Sequence, residues 1–180
     1  MVAQRVVTSV AGQAFRAFRH VRWPALARVL PPVPCTVLDV GCGAERWFTT
    51  RLAQAGYQVT GIDIQDGVAL PRLPYDAEAF DLVVCLEVLE HTTDPVRSLQ
   101  ELYRVARHHL LVTVPREPWF TVWRLGWWVP DHLWALTPTG CQRLLGPARV
   151  SAVGLGRYWQ LVWEKSPVGP LQRPGYAQAQ

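Results

Sequence analysis

The feature that most constrains this chain is an apolar run that ends in two glycines. Thr36-Val37-Leu38-Asp39-Val40 leads into Gly41-Cys42-Gly43, which reads as a buried strand running into a glycine turn. A helix follows, with Phe48, Leu52 and Ala55 on one face and Gly56 as its stop. Tyr57 to Asp63 reads as a second strand. Strand, helix and strand in about 30 residues make a βαβ unit, so the expected fold class is α/β with a parallel sheet. Such a turn has a physical use. Glycines let a ligand approach the backbone, and the next helix points unbonded N–H groups at it. An acid at the end of the second strand, here Asp63, can accept hydrogen bonds from ribose hydroxyls.

The rest of the chain continues the alternation. Phe80 to Leu86 is another buried strand, Asp94-Pro95 caps and opens a helix, and Leu110 to Val114 is the next strand. Thr137-Pro138 opens a helix that ends at Gly146, and Arg149–Leu155 and Arg157–Glu164 are two closing strands. Before the first strand, residues 4–22 form a basic amphipathic helix, Pro24 starts a second short helix, and Pro31, Pro32 and Pro34 stop it. The organisation expected is an N-terminal helical segment (1–34), one ligand-binding domain (35–164) and a loose Pro/Gly/Gln-rich tail (165–180). At 180 residues with 49% hydrophobic and 18% charged residues, one domain with a sizeable core is expected and global disorder is not. No secretory pattern or bilayer-length run occurs, and four cysteines without zinc spacing read as reduced thiols, so a cytoplasmic location is expected. The net charge of +4 carries no basic-aromatic nucleic-acid motif.

A nicotinamide fingerprint fails here, because Arg46 stands where the third glycine of G-x-G-x-x-G belongs. Val-Leu-Asp-Val-Gly-Cys-Gly at 37–43 instead resembles motif I of class I S-adenosylmethionine (SAM)-dependent methyltransferases. Gly-Ile-Asp-Ile at 61–64 resembles their ribose-binding acid motif, and the run from Phe80 to His91 resembles their fourth strand and the helix after it. The likeness is strongest to the compact methyltransferase type 11 group and spans about residues 35–164. It implies a Rossmann-like, mostly parallel, seven-strand-type sheet, here with a shortened third strand and helix region, and an enzyme of class EC 2.1.1.- with SAM as cofactor. By this resemblance Asp39, Gly41, Cys42 and Gly43 surround the methionine moiety and ribose edge, and Asp63 binds the ribose. Ile64 packs on the adenine, Leu73 lies in the run before the fourth strand, and Leu86 and Glu87 line the sulfonium end. Two departures stand out. Glu45 occupies the place of the family's third glycine, where it would crowd the turn, and the run Val68-Ala69-Leu70-Pro71 lacks an acid near the adenine.

Methyl transfer from a sulfonium needs positioning above all, with a general base for a hydroxyl or protonated amine. His91 and His132 are the candidate bases. Glu87, Glu90 and His91 at i, i+3 and i+4 would share a helix face, and some quinone and RNA methyltransferases hold a divalent metal with this pattern. A structural histidine is the favoured reading, and no metal is assigned. His108 and His109 read as helix C-terminal residues. Five of nine tryptophans lie at 119, 123, 127, 128 and 134. A lid over an apolar or flat substrate, an edge that touches a membrane peripherally, and ordinary core packing all stand as readings. The expected partner is a small-molecule acceptor that is apolar, aromatic or lipid-like, with no nucleic acid. The alternative is a catalytically silent domain that keeps the fold for protein binding.

Overall fold

A computed structural model describes residues 22–116 and 133–165 of the chain. Its sheet has six strands among the described residues: β1 (Thr36–Val40), β2 (Gln58–Ile62), β3 (Phe80–Leu86), β4 (Ala106–Pro115), β5 (Arg149–Val153) and β6 (Tyr158–Glu164), in spatial order β2-β1-β3-β4-β6-β5. Strands β2, β1, β3 and β4 run parallel, and β6 runs antiparallel to both β4 and β5. The helices are α1 (Trp47–Gln54), α2 (Pro95–Val105) and α3 (Pro138–Leu145). The shortening of the third strand and helix region is complete. Between β2 and β3 the chain makes only a 3-10 turn at Ile64–Asp66 and a lone bridge between Ala69 and Arg72, which leaves β2 at the edge.

Side chains alternate across each strand, so the sheet has two apolar faces. Val37, Leu82, Val84 and Leu111 pack against α1 and against Leu26, which is 1% exposed. Leu38, Val40, Val83, Cys85, Leu110 and Val112 pack against α2 and α3. The described end of the N-terminal segment therefore belongs to the core. It is helical over 22–27, so Pro24 lies inside that stretch instead of opening a new helix, and the stop comes ahead of Pro31 and Pro32.

Caps follow the sequence. The Asp94 carboxylate accepts from the Arg97 N–H at 3.0 Å with Pro95 at the first helical position, and Thr137 does the same for α3. One expectation fails. His108 and His109 lie in β4, which begins at Ala106 directly after the helix, so they do not serve the C-terminus of α2. The cation there is Lys165, whose Nζ donates to the carbonyls of Tyr103 and Ala106. All four cysteines are free. Among the described residues no helix is long and apolar enough to cross a membrane.

Candidate cofactor site

The turn after β1 is fixed by two close approaches. Gly41 and Cys42 both donate their N–H to the Ile62 carbonyl, at 2.8 and 3.2 Å. Gly41 has φ +77°, and a Cβ there would meet Val88 Cγ2 at 2.2 Å, so only glycine fits. Gly43, at φ +65°, faces open space, and its N–H donates to Asp63 Oδ2 at 2.9 Å. Asp63 also accepts from the Gln65 N–H and caps the 64–66 turn. Ile64 beside it is 74% exposed. Glu45 does not crowd the turn, because it is exposed. The left-handed backbone falls one residue later, on Arg46 at φ 45°. Its guanidinium donates to the Gly61 carbonyl at 2.8 Å and to both Asp66 oxygens.

Asp39, at the carboxyl end of β1, is 2% exposed and lies on the α1 face. It accepts from Thr49 Oγ1 at 2.6 Å, and burial pushes its carboxyl up to about 6. Thr49 reaches it because Gly61 leaves room; a Cβ on Gly61 would stand 2.8 Å from Thr49 Oγ1. Asp39, Gly41, Cys42, Leu86 and Glu87 line one cavity of about 210 Å³. Burial, then the Asp39 charge, raises the Cys42 thiol, which disfavours its thiolate.

The same cavity contains a residue that the sequence reading passed over. Arg22 is 5% exposed and lines the wall with Leu26. Its guanidinium pairs with the Glu87 carboxylate, donates to Thr113 Oγ1 at 3.2 Å and lies 4.3 Å from the centre of the Tyr158 ring. Its Nε–H is buried with no hydrogen-bond partner among the described residues. The only sequence signal was an arginine at the end of a basic amphipathic segment, next to Trp23 and Leu26, where a solvated face is the ordinary reading. Glu87 is held at φ +58°, a left-handed conformation rare outside glycine, with its N–H on the Thr113 carbonyl at 3.0 Å. Burial and then the Glu87 charge push the Tyr158 hydroxyl up to about 12.

Other candidates do not join this cavity. Leu73 is 4% exposed in the core cluster of the opposite face, with its N–H on Glu101, so it packs the domain and does not line the mouth. Glu87, Glu90 and His91 do not share a helix face. Glu87 is left-handed, and only Leu89–His91 form a 3-10 turn, so the i, i+3, i+4 spacing never acts on a helix. Glu90 is 1% exposed and His91 is exposed. Among the described residues no three His, Cys, Asp or Glu side chains gather as metal ligands. His132, with tryptophans 119, 123, 127 and 128, lies outside the described residues; Trp134 is described and 45% exposed.

A buried acid and a buried cation thus stand in one cavity below a glycine turn, with a second acid, Asp63, at the next strand end. This donor set fits an amino-acid zwitterion joined to a ribose: Asp39 for an ammonium, the unpartnered Arg22 N–H for a carboxylate, Asp63 for hydroxyls. Comparisons with known proteins bear on the family. Residues 11–148 match the family model described as a methyltransferase domain. A ubiquinone biosynthesis O-methyltransferase of Pseudomonas paraeruginosa is 36% identical over 107 residues, covering 46% of each chain, so this chain spans about half the length of the curated relatives it matches. A SAM-dependent methyltransferase from Aquifex aeolicus superposes with a TM-score of 0.59 at 18% identity, covering 78% of this chain and 87% of that one. Magnesium protoporphyrin IX methyltransferase from Synechocystis PCC 6803, solved with bound S-adenosylhomocysteine, gives 0.60 at 21% identity, covering 87% and 84%. The chain belongs to the methyltransferase-domain family, as a class I member whose cofactor is S-adenosylmethionine.

Proposed function

We propose that this chain methylates a small-molecule acceptor of apolar, aromatic or lipid-like character, in the cytoplasm where its thiols stay reduced. The observation that carries the reading is the presence of both Asp39 and Arg22 in the lining of one 210 Å³ cavity under the glycine turn. Asp39, Gly41, Cys42 and Gly43 take the methionine moiety and ribose edge, with Arg22 for its carboxylate. Asp63 takes the ribose hydroxyls, exposed Ile64 covers the adenine, and Leu86 and Glu87 face the sulfonium end. Bound there, the cofactor supplies an electrophilic methyl carbon.

The chain's own work is then positioning and exclusion of water. Leu26, Trp47 and Phe48 close the apolar side of the cavity. His91, on the turn after β3, and His132 are the groups assigned to the acceptor side, where a base removes a hydroxyl proton. The name O-methyltransferase carried by the relatives favours a hydroxyl acceptor.

Calorimetric titration with S-adenosylhomocysteine tests this. The wild type binds, and Asp63→Ala weakens binding by roughly 100-fold, the scale of lost charge-assisted hydrogen bonds. A folded wild type that does not bind sinks the reading and leaves a silent, partner-binding domain.

A further inference from the structure

A second cavity, of about 530 Å³, lies on the other face of the same sheet edge. Its floor is buried and apolar: Leu89, Leu99 and Cys141 are 1%, 1% and 2% exposed. Its lip is apolar and exposed: Val96, Leu144 and Trp134 are 43%, 41% and 45% exposed. It is built from the first turns of α2, from α3 along its length and from the segment that leads into α3. Helix α2 follows the end of parallel strand β3, so the cavity opens at the carboxyl edge of the sheet, where ligands bind in this architecture.

Most of its polar groups are committed; Thr93 and Arg143 are the others in the lining. Asp94 caps α2 and pairs with Arg97, Thr137 Oγ1 accepts from the Gly140 N–H, and Trp134 Nε1 donates to the Thr92 carbonyl at 2.9 Å. Apart from Thr93 and Arg143 little remains to bind a sugar, phosphate or peptide directionally, and the buried floor of Leu89, Leu99 and Cys141 suits hydrocarbon, which needs no partner. The volume is that of a ligand pocket. One turn joins it to the cofactor cavity: Glu87 lines the first and Leu89 the second, two residues and at most ~7 Å of chain apart. The 210 Å³ cavity has no room for a long tail as well as the cofactor's amino-acid end.

We propose that this second cavity binds the hydrocarbon chain of the methyl acceptor, which lies across the 87–89 turn with its reacting group on the Glu87 side. This rests on the methyl-transfer reading above. The acceptor is therefore an amphiphile, with a nucleophilic head and an acyl or isoprenoid chain. Val96 and Leu144 select for the chain, since both stand at the lip and a charge there would face the bound hydrocarbon.

The test uses the full chain and farnesol, a C15 isoprenoid alcohol, with S-adenosylhomocysteine titrated in parallel by calorimetry. Wild type is expected to bind farnesol, and Val96→Asp and Leu144→Asp each to weaken it about tenfold or more, with S-adenosylhomocysteine affinity unchanged. Both positions are at the surface, and two variants guard against one that misfolds. Equal farnesol affinity in both folded variants, or none in a wild type that binds S-adenosylhomocysteine, overturns the proposal. A wild type that binds farnesol with the expected variant losses, yet not S-adenosylhomocysteine, sinks methyl transfer and leaves the hydrocarbon site standing. If wild type binds phosphatidylcholine vesicles but not free farnesol, and the variants lose the vesicles, the cavity is a membrane contact and the proposal falls.

Discussion

The two faces of one sheet edge have opposite chemistry. On the α1 face the strand ends carry Asp39 and Thr113, closed over by Arg22 and Glu87. On the α2–α3 face the neighbouring residues are Val40, Val112 and Val114. The difference arises from strand alternation, which sends Asp39 one way and Val40 the other; a slip of one residue would exchange them. It also divides stability from binding. The apolar face gains from burial. The polar face holds a carboxylate that burial raises to about 6, so an empty pocket keeps a charge that the protein interior disfavours.

Substitutions on the two faces should therefore change stability with opposite sign. The largest expected effect is on the apolar side. Leu99 is 1% exposed between the sheet and α3, and Leu99→Ala is expected to cost about 2–5 kcal/mol in urea unfolding while S-adenosylhomocysteine affinity stays within about twofold. On the polar side Asp39→Asn is expected to stabilise the cofactor-free protein. The folded pKa, about 6, lies above the usual 3.8, so between these values the folded state binds more protons than the unfolded one. Stability then falls as pH rises from about 4 to about 6 and stays at the lower level above. Asparagine abolishes that fall, a gain of up to about 3 kcal/mol at pH 7. The same change should weaken S-adenosylhomocysteine sharply. A variant no more stable than wild type at pH 7 breaks the contrast between the faces.

How much of this was legible follows from which forces act locally. The strand at 36–40, the glycine turn, Asp63 and the caps at Asp94 and Thr137 were readable because each depends on neighbours within a few residues. Arg22 was not, since its partners Glu87, Thr113 and Tyr158 lie 65 to 136 positions away and only the sheet order brings them together. Glu87 misled for a related reason. Its spacing to Glu90 and His91 suits a helix, but the tertiary bond from its N–H to the Thr113 carbonyl holds it left-handed. The histidines at 108 and 109 failed because no glycine or proline marks the end of α2, where the chain passes straight into β4. The apolar cavity left no local mark, as it is assembled from two helices some 40 residues apart.

The smallest expected effect isolates Asp39 as the group that titrates. Its ionised form is held by Thr49, whose hydroxyl donates at 2.6 Å and lowers a carboxyl that burial raises. If Asp39 meets the ammonium of the ligand, only the ionised form binds well, so S-adenosylhomocysteine affinity should rise with pH through about 6 and level off above. Thr49→Val keeps the shape and removes the donor. The carboxyl then moves further up, and the midpoint of the affinity profile should shift upward by about one pH unit, the equivalent of a single hydrogen bond to a charged group. The S-adenosylhomocysteine carboxylate and ammonium do not titrate between pH 5 and 8, so the midpoint reports the protein. An unchanged midpoint in Thr49→Val would mean that some other group controls the profile, and the assignment of Asp39 to the ammonium would fail even with cofactor binding intact.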